Sequence, residues 1–187
     1  MATERAAATG PAGAVRRPLV LVGMPGSGKS AIGRRLAAAL DLPFVDSDAE
    51  IEAAAQMSIS EIFARFGEPH FRDGERRVIA RLLDGTPRVI ATGGGAFQDP
   101  DTRALALARG FVVWLDADLD TLVARVGRRD HRPLLAGRDA RAVLAALLAE
   151  RAPAYRQAHL RVVSGDAPHE ATVAAILAAL TGQEMVP

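Results

Sequence analysis

The chain has 187 residues, no cysteine and a formal net charge of +1. This length fits one domain and excludes two full enzyme domains joined by a linker. The lack of cysteine excludes a disulfide framework, a cysteine zinc site, an iron-sulfur cluster and a cysteine nucleophile. Balanced charge and an aromatic content of 4% argue against nucleic acid and an anionic membrane as partners.

The two ends of the chain predict tails. Residues 1–17 contain mainly Ala, Gly, Thr and Arg, with no apolar run that could form a secretory core or a membrane span. We predict a disordered tail over 1–17, a single domain over 18–182 and a second tail over 183–187. A cytoplasmic protein is expected, and a short organelle transit peptide is the alternative because the first tail has arginine and few acids.

From Pro18 onward, short apolar runs alternate with longer segments of helical period, which is typical of βαβ units around a parallel sheet. Strands are predicted at 19–22, 44–45, 89–91, 111–115 and 160–163. Helices are predicted at 28–40, 48–55, 59–83, 100–108, 119–126, 138–157 and 168–180. The run Gly67-Glu68-Pro69 should bend or break the third helix, since proline lacks an amide donor and clashes with the preceding turn. The predicted fold class is therefore α/β, with a five-stranded parallel sheet between helices.

Residues 23–30 read G-M-P-G-S-G-K-S and match the phosphate-loop pattern G-x-x-x-x-G-K-[ST], between a predicted strand and a predicted helix. Lys29 is the single lysine among 23 basic residues, which sets it apart in an arginine-rich chain. Backbone amides of such a loop hold phosphate oxygens, the lysine reaches the terminal phosphates, and Ser30 can bind magnesium. A glycine-rich turn without a ligand is the alternative.

Asp46, Ser47 and Asp48 follow the second predicted strand, so they should lie at the carboxyl edge of the sheet, where ligands bind in open α/β folds. If this segment is extended, alternation sends both carboxylates to the same side. One acid near magnesium and another near an attacking hydroxyl suit phosphoryl transfer. The alternative is that Asp48 caps a helix beginning at Ala49.

Other candidate segments are weaker individually. The run Gly93 to Gly95 ends the third strand and would let a ligand approach backbone amides, although a flexible connection is the alternative. Arg72 and Arg156 are arginines suited to a carboxylate, yet a lone arginine is most often solvated. Residues 127–133 have the charges and few apolar anchors of a mobile lid or of an ordinary exposed loop.

The ordered set of these motifs resembles the shikimate kinase family over about residues 18–180. It consists of the phosphate loop, the Asp46–Asp48 triplet, Phe71-Arg72 with Glu75, the triple glycine, Arg132-Pro133-Leu134-Leu135, and Arg151-Ala152-Pro153 leading to Tyr155-Arg156. The resemblance implies a P-loop fold like that of nucleoside monophosphate kinases, with a substrate subdomain at about 46–75 and a lid at about 127–140. It also implies a monomer that uses ATP and Mg²⁺ to phosphorylate the 3-hydroxyl of shikimate.

The resemblance also implies roles for single residues. Asp48 would orient the hydroxyl, Arg72 and Arg156 would bind the shikimate carboxylate, and Arg125 would pack on adenine. Lys29 and Arg132 would neutralise the transferring phosphoryl group, while Ser30 would bind Mg²⁺ directly and Asp46 through water. The implied nucleotide contacts are Gly26, Ser27, Gly28, Lys29, Ser30, Ala31, Arg125 and Arg132. The implied substrate contacts are Asp48, Arg72, Gly93, Gly94, Gly95 and Arg156.

The chain departs from the family pattern in two places. Residues 164–168 lack the basic residue that many members place beside adenine, and Ala31 replaces a hydroxyl residue after the phosphate-loop serine. Two other functions stay open at this point. One is a related small-molecule kinase such as gluconate kinase, against which Arg72, the triple glycine and Arg156 argue. The other is a nucleotide-binding regulator without transfer activity.

Overall fold

The structure is a computed structural model that describes residues 15–127, 139–165 and 167–182. Its sheet has five parallel strands in the order β2-β3-β1-β4-β5. The strands are β1 Leu19–Val22, β2 Phe44–Asp46, β3 Val89–Ala91, β4 Phe111–Asp116 and β5 Leu160–Val163. The five predicted strands and the predicted fold class are therefore confirmed.

Seven described helices flank this sheet, each within a few residues of its predicted position. They are α1 Lys29–Leu40, α2 Ser47–Ala55, α3 Ile59–Leu82, α4 Pro100–Arg109, α5 Leu119–Val126, α6 Ala140–Tyr155 and α7 His169–Gly182. A 3-10 turn at Ala96–Gln98 was not predicted. Within residues 15–127, 139–165 and 167–182, no helix has the length and apolar character needed to cross a membrane.

The break predicted in the third helix is confirmed and lies at Gly67. This residue has φ 78° and ψ 173°, so α3 consists of two helical segments that meet at a kink. A positive φ of this size favours glycine, because a Cβ would strain the backbone. Pro69 follows two residues later, where its missing amide donor falls in the first turn of the second segment.

Two apolar layers hold the helices on opposite faces of the sheet. On one face, Leu19 and Leu21 of β1 pack with residues of α1 and α7, including Leu36 and Ile176. On the other face, Val20 and Val22 of β1 pack in a cluster that includes residues of α3 and α6. Because successive side chains of a strand point to opposite faces, the four buried residues of β1 serve both layers. The result is the predicted three-layer arrangement.

Residues 15–17, which belong to the predicted N-terminal tail, are described by the structure and contact the domain. Val15 is 5% exposed and packs in the layer of α1 and α7. The guanidinium carbon of Arg17 lies 5.7 Å from the ring centroid of Phe111. An apolar contact and a cation over an aromatic ring therefore fix this short segment against the domain.

The strand order explains where a ligand would bind. Strand β3 lies between β2 and β1, so the chain segments that follow these three strands leave the sheet side by side. These segments are the phosphate loop after β1, the Asp46–Asp48 triplet at the end of β2, and the triple glycine after β3. Parallel packing thus brings together three motifs that are far apart in sequence.

Candidate active site

The phosphate loop connects β1 to the N-terminus of α1. Gly28 is the N-cap of α1 with φ 92°, so it provides no side chain to cap the first amides of that helix. Gly23 has φ 144°, and a Cβ built there would lie 2.6 Å from the carbonyl oxygen of Leu115. Uncapped amides and the positive end of the helix dipole form a site for phosphate oxygens.

Lys29 lies across this loop. Its Nζ donates 2.9 Å hydrogen bonds to the carbonyl oxygens of Gly23 and Met24. These bonds hold the ammonium group against the backbone of the loop. The position agrees with a cation that neutralises terminal phosphates.

The two predicted magnesium residues meet directly. The Oγ of Ser30 donates a 2.6 Å hydrogen bond to Oδ2 of Asp46, which joins the start of α1 to the end of β2. Hydroxyl and carboxylate oxygens are ligands that Mg²⁺ accepts, usually with phosphate oxygens and water completing its shell. No group of three or more His, Asp or Glu residues suited to a metal ion occurs in the described part of the chain. The donor set therefore fits a magnesium ion shared with a nucleotide, not a metal held by protein alone.

The Asp46–Asp48 triplet differs from its predicted conformation. Helix α2 begins at Ser47, and its N-cap is Asp46, whose Oδ1 accepts a 3.1 Å hydrogen bond from the amide of Asp48. The alternative that Asp48 caps a helix starting at Ala49 is wrong, and so is the extended alternation. The Asp46 carboxylate at the N-cap satisfies a free helix amide, so α2 starts at Ser47, one residue before the predicted helix and two before Ala49.

Gly93 is the point at which two carboxylates meet. A Cβ built on Gly93 would lie 2.7 Å from Oδ1 of Asp48 and 2.9 Å from Oε1 of Glu75. The amide of Gly93 donates a 3.1 Å hydrogen bond to the Oγ of the fully buried Ser47. Sequence reasoning assigned no role to Ser47 and only a place in a motif to Glu75. Both residues bring α2, α3 and the glycine run into contact.

Arg72 is fixed by Glu75 beside the glycine run. Its Nη1 donates a 2.7 Å hydrogen bond to Oε2 of Glu75, and its Nη2 lies 3.1 Å from the exposed carboxylate of Glu68. A Cβ on Gly95 would lie 2.8 Å from both terminal nitrogens of Arg72, so a larger residue there would displace the guanidinium group. Burial raises the pKa of Glu75, against the opposing effect of Arg72. Burial favours a lower pKa for Arg72. The hydrogen bond and the negative charge of Glu75 outweigh burial, and the pKa of Arg72 is raised.

The carbonyl of Gly94 is held by helix α6. Its oxygen accepts hydrogen bonds of 2.9 Å from Nη1 of Arg151 and 2.6 Å from the hydroxyl of Tyr155. Arg151 is only 9% exposed, and burial raises the pKa of Tyr155 to about 12. The sequence analysis gave Arg151 no role of its own. Its spacing of four residues from Tyr155 on one helix was a signal that could have identified it. Residues four apart lie on the same helix face, so Arg151 and Tyr155 point together.

Arg156 does not lie with the other predicted substrate residues. It is the exposed C-cap residue of α6 and lines a surface cleft with Trp114 and Arg161. Five residues separate it from Arg151, which at about 100° per residue places the two about 140° apart around the helix. Helical geometry thus turns Arg151, and not Arg156, toward the glycine run.

Arg125 lies beside the phosphate loop, as the sequence analysis expects of a residue near the nucleotide. Its Nη2 donates a 2.5 Å hydrogen bond to the carbonyl oxygen of Gly165, and its Nη1 lies 3.3 Å from Oγ of Ser164. The buried Ser164 in turn donates a 2.9 Å hydrogen bond to the carbonyl oxygen of Ser27. The predicted lid falls largely on residues 128–138, and with it Arg132 lies outside the described residues.

A family comparison bears on this site. The model of the family described as "Shikimate kinase" matches residues 25–181, most of the chain. The chain belongs to the shikimate kinase family. A shikimate kinase of Novosphingobium aromaticivorans is 59% identical to it over 171 residues, which cover 89% of this chain and 88% of the relative. As a member of the family, the chain is a kinase of aromatic amino acid biosynthesis with ATP as its phosphoryl donor.

Solved structures agree with this family. A shikimate kinase from Acinetobacter baumannii in complex with shikimate has a TM-score of 0.86 and 34% identity, covering 91% of this chain and 96% of that one. A gluconokinase from Sinorhizobium meliloti has a TM-score of 0.59 and 19% identity, covering 90% and 93% of the two chains. The second likeness shows the fold alone, so the gluconate kinase alternative is not favoured for this member of the shikimate kinase family.

Proposed function

We propose that this chain transfers the terminal phosphoryl group of ATP to the 3-hydroxyl of shikimate. The observation that carries the proposal is the convergence, next to the phosphate loop, of the Asp48 carboxylate and the Arg72 guanidinium on one glycine run. A hydroxylated carboxylic acid needs a cation for its carboxylate and an acceptor for its reacting hydroxyl. The acceptor is Asp48, which lies beside Gly93, and the cation is Arg72, which lies beside Gly95.

The nucleotide half of the reaction rests on the loop and α1. Backbone amides at the N-terminus of α1 would bind phosphate oxygens, and Lys29 would release its carbonyl partners to meet the terminal phosphate. Ser30 and Asp46 would hold Mg²⁺, the first directly and the second through water. Bound magnesium supplies positive charge that offsets the charge developing on the phosphate oxygens. Arg125 would pack on adenine.

The substrate half rests on two arginines from different helices. Arg72 of α3 and Arg151 of α6 flank the glycine run through Gly95 and Gly94 respectively. Two guanidinium groups on either side of one small acid can share its carboxylate through charged hydrogen bonds. Arg151 takes the role that the sequence analysis gave to Arg156. Backbone groups of Gly93, Gly94 and Gly95 would contact the ring directly, since these residues carry no side chains of their own.

Asp48 would accept the proton of the attacking hydroxyl. The shikimate oxygen forms a bond to the terminal phosphorus, the bond between that phosphorus and the bridging oxygen breaks, and ADP leaves with the electron pair. The hydroxyl proton passes to a carboxylate oxygen of Asp48. An aspartate carboxylate is a weak base for an alcohol, so positioning supplies most of its effect and proton transfer comes late.

The remaining predicted contacts complete this proposal. Gly26, Ser27, Gly28 and Ala31 belong to the loop and first turn that surround the phosphates, and Arg132 would approach the transferring group from the lid. The substrate subdomain is proposed at about 46–75 and the lid at about 127–140. We also propose that the enzyme acts as a monomer, because both carboxylate-binding arginines come from one chain.

A coupled assay that follows ADP tests the function. Purified protein with ATP and Mg²⁺ is given shikimate or gluconate, and ³¹P-coupled NMR of the product identifies the phosphorylated oxygen. We expect turnover with shikimate, substitution at its 3-position and loss of activity on chelation of magnesium. Preference for gluconate would favour the related kinase, and ATP binding without transfer would favour a nucleotide-binding regulator. Light scattering after size exclusion measures the oligomeric state.

A further inference from the structure

A second cleft opens between the C-terminal end of α6 and strands β4 and β5, of which β5 is the edge strand. It has a volume of about 400 Å³, within the range of pockets that bind small molecules. The residues that matter for its chemistry are Trp114, Leu148, Ala152, Tyr155, Arg156 and Arg161. The cleft is not part of the phosphoryl-transfer site proposed above. It contains Arg156, which the sequence analysis expects to bind a carboxylate.

The cleft exists because edge strand β5 is covered on one face only. Val162 packs in the layer formed with α7, whereas Arg161 and Val163 on the other face are exposed. Val163 is 69% exposed, which is unusual for a large apolar side chain in a sheet. Arg161 therefore remains exposed where it lines the cleft.

The charges of the cleft leave one positive group available. Both Nε and Nη2 of Arg161 bond to Oδ2 of Asp116, at 2.8 and 2.5 Å, and its guanidinium carbon lies 5.1 Å from the Trp114 ring centroid. Arg161 is thus neutralised and held on the indole ring. Arg156 has no ion-pair partner among residues 15–127, 139–165 and 167–182. Asp116, Arg156 and Arg161 together carry one net positive charge, which a ligand with a single negative charge would balance.

We propose that this cleft is a second ligand site, which binds a small monocarboxylate carrying a flat hydrocarbon ring. Arg156 pairs with the carboxylate, and the ring packs on the apolar wall formed by Leu148, Ala152 and Ala158. A phosphate monoester carries more negative charge than one arginine balances, which favours the carboxylate. Guanidinium groups bind carboxylates through two parallel hydrogen bonds, and Arg156 is exposed enough to turn toward one.

The cleft and the proposed substrate site share Tyr155. This residue lines the cleft, lies 5.9 Å from Trp114 between ring centroids, and donates its hydroxyl to Gly94. A ligand in the cleft therefore contacts the same helix end that positions the glycine run. The two sites remain separate, since Arg151 and Arg156 lie on different sides of α6. Binding of one ligand then changes the affinity of the other by a fixed factor, not by displacement.

Trp114 provides a direct measurement, because it is the single tryptophan of the chain and lies in the cleft. Benzoate is titrated into the full-length protein while indole fluorescence is excited at wavelengths that benzoate does not absorb. We expect a saturable change with benzoate and none with benzamide, its uncharged counterpart. The titration is repeated with saturating shikimate. If the affinity for benzoate does not change with shikimate, or changes to a constant value as the shikimate concentration rises, the result supports a second site.

The variant Arg156→Gln should bind benzoate at least about tenfold more weakly, the loss expected when one charged hydrogen-bonded pair is removed. Arg109→Gln is the matched control, since Arg109 is an exposed arginine at the end of α4 outside the cleft. Circular dichroism verifies that both variants fold. The proposal is overturned by a non-saturable response, by affinity that falls without limit as shikimate rises, or by equal binding to Arg156→Gln and wild type.

Discussion

Arg72 donates a 2.7 Å hydrogen bond to Glu75, whose side chain is only 3% exposed, while its second partner Glu68 is 62% exposed. One carboxylate is therefore a buried support for the guanidinium, and the other is a solvated neighbour. Buried charged pairs lose much more on removal of one partner than exposed pairs do. The direction of Arg72 toward Gly95 depends on Glu75.

Glu75→Gln should raise the shikimate KM by about tenfold, because Arg72 loses the charged partner that orients it. The KM for ATP should stay within about twofold, since Glu75 touches no part of the phosphate loop. Glu68→Gln is the matched control and should leave both constants near wild type. Steady-state kinetics of the three proteins measures the difference, and equal effects of the two substitutions would contradict the role of Glu75.

Asp48→Asn should lower kcat by at least about a hundredfold, the usual loss when a residue that accepts or orients a proton is removed. The amide keeps the shape of the side chain, so ATP binding, followed by calorimetry, should change little. Near-normal turnover would show that the hydroxyl reacts without this carboxylate.

Arg151→Ala and Arg156→Ala distinguish the two candidate arginines. We expect the first to raise the shikimate KM by about tenfold or more and the second to leave it nearly unchanged. Because Arg151 is 9% exposed and supports Gly94, its variant is compared at equal folded fraction, judged from thermal unfolding. The reverse order of effects would restore Arg156 to the substrate site.

Gly93→Ala should reduce kcat at least about tenfold, because the new Cβ would lie 2.7 Å from Asp48 and 2.9 Å from Glu75. Gly74→Ala is the control. A Cβ on Gly74 meets nothing within 4 Å in helix α3, so this change should stabilise the protein by about 0.5–1 kcal/mol through helix propensity. Denaturant unfolding and kinetics of both variants test the pair. An active Gly93→Ala enzyme would mean that the carboxylates can move aside.

His159 predicts a stability loss in mild acid. Burial, and then the charge of Arg17, lowers the pKa of His159, and its Nδ1 accepts a 2.9 Å hydrogen bond from the amide of Val112. The folded state thus favours the neutral ring, whereas the unfolded state takes up a proton near pH 6.5. The contribution of His159 is present above that pH and falls as the pH drops toward its folded pKa.

The measurement for His159 is the free energy of unfolding between about pH 5 and 8. His159→Asn offers a side-chain oxygen in place of Nδ1 and does not titrate in this range. We expect the difference in stability between wild type and variant to move in favour of the variant as pH falls. A difference that is independent of pH would show that His159 keeps its proton state on folding.

Several features of the site followed from local sequence. The phosphate loop, the strand and helix positions and the break near Pro69 depend on short-range rules of periodicity, spacing and backbone freedom, and the structure agrees with them. The start of α2 at Ser47 did not follow, because a carboxylate cap and an extended strand end look alike until the first helical hydrogen bonds are known. The choice between Arg151 and Arg156 required the rotation of α6 against the sheet.

The amino-acid order by itself determined a phosphate-binding α/β domain, since hydrophobic period and glycine placement act over a few neighbouring residues. Only the tertiary structure decided that Ser47, Glu75 and Arg151 surround the glycine run. Those contacts join α2, α3 and α6 to the end of β3, and their distances depend on how layers pack across the whole sheet. Side-chain direction across such packed layers is a property of the assembled fold, because no local rule sets it.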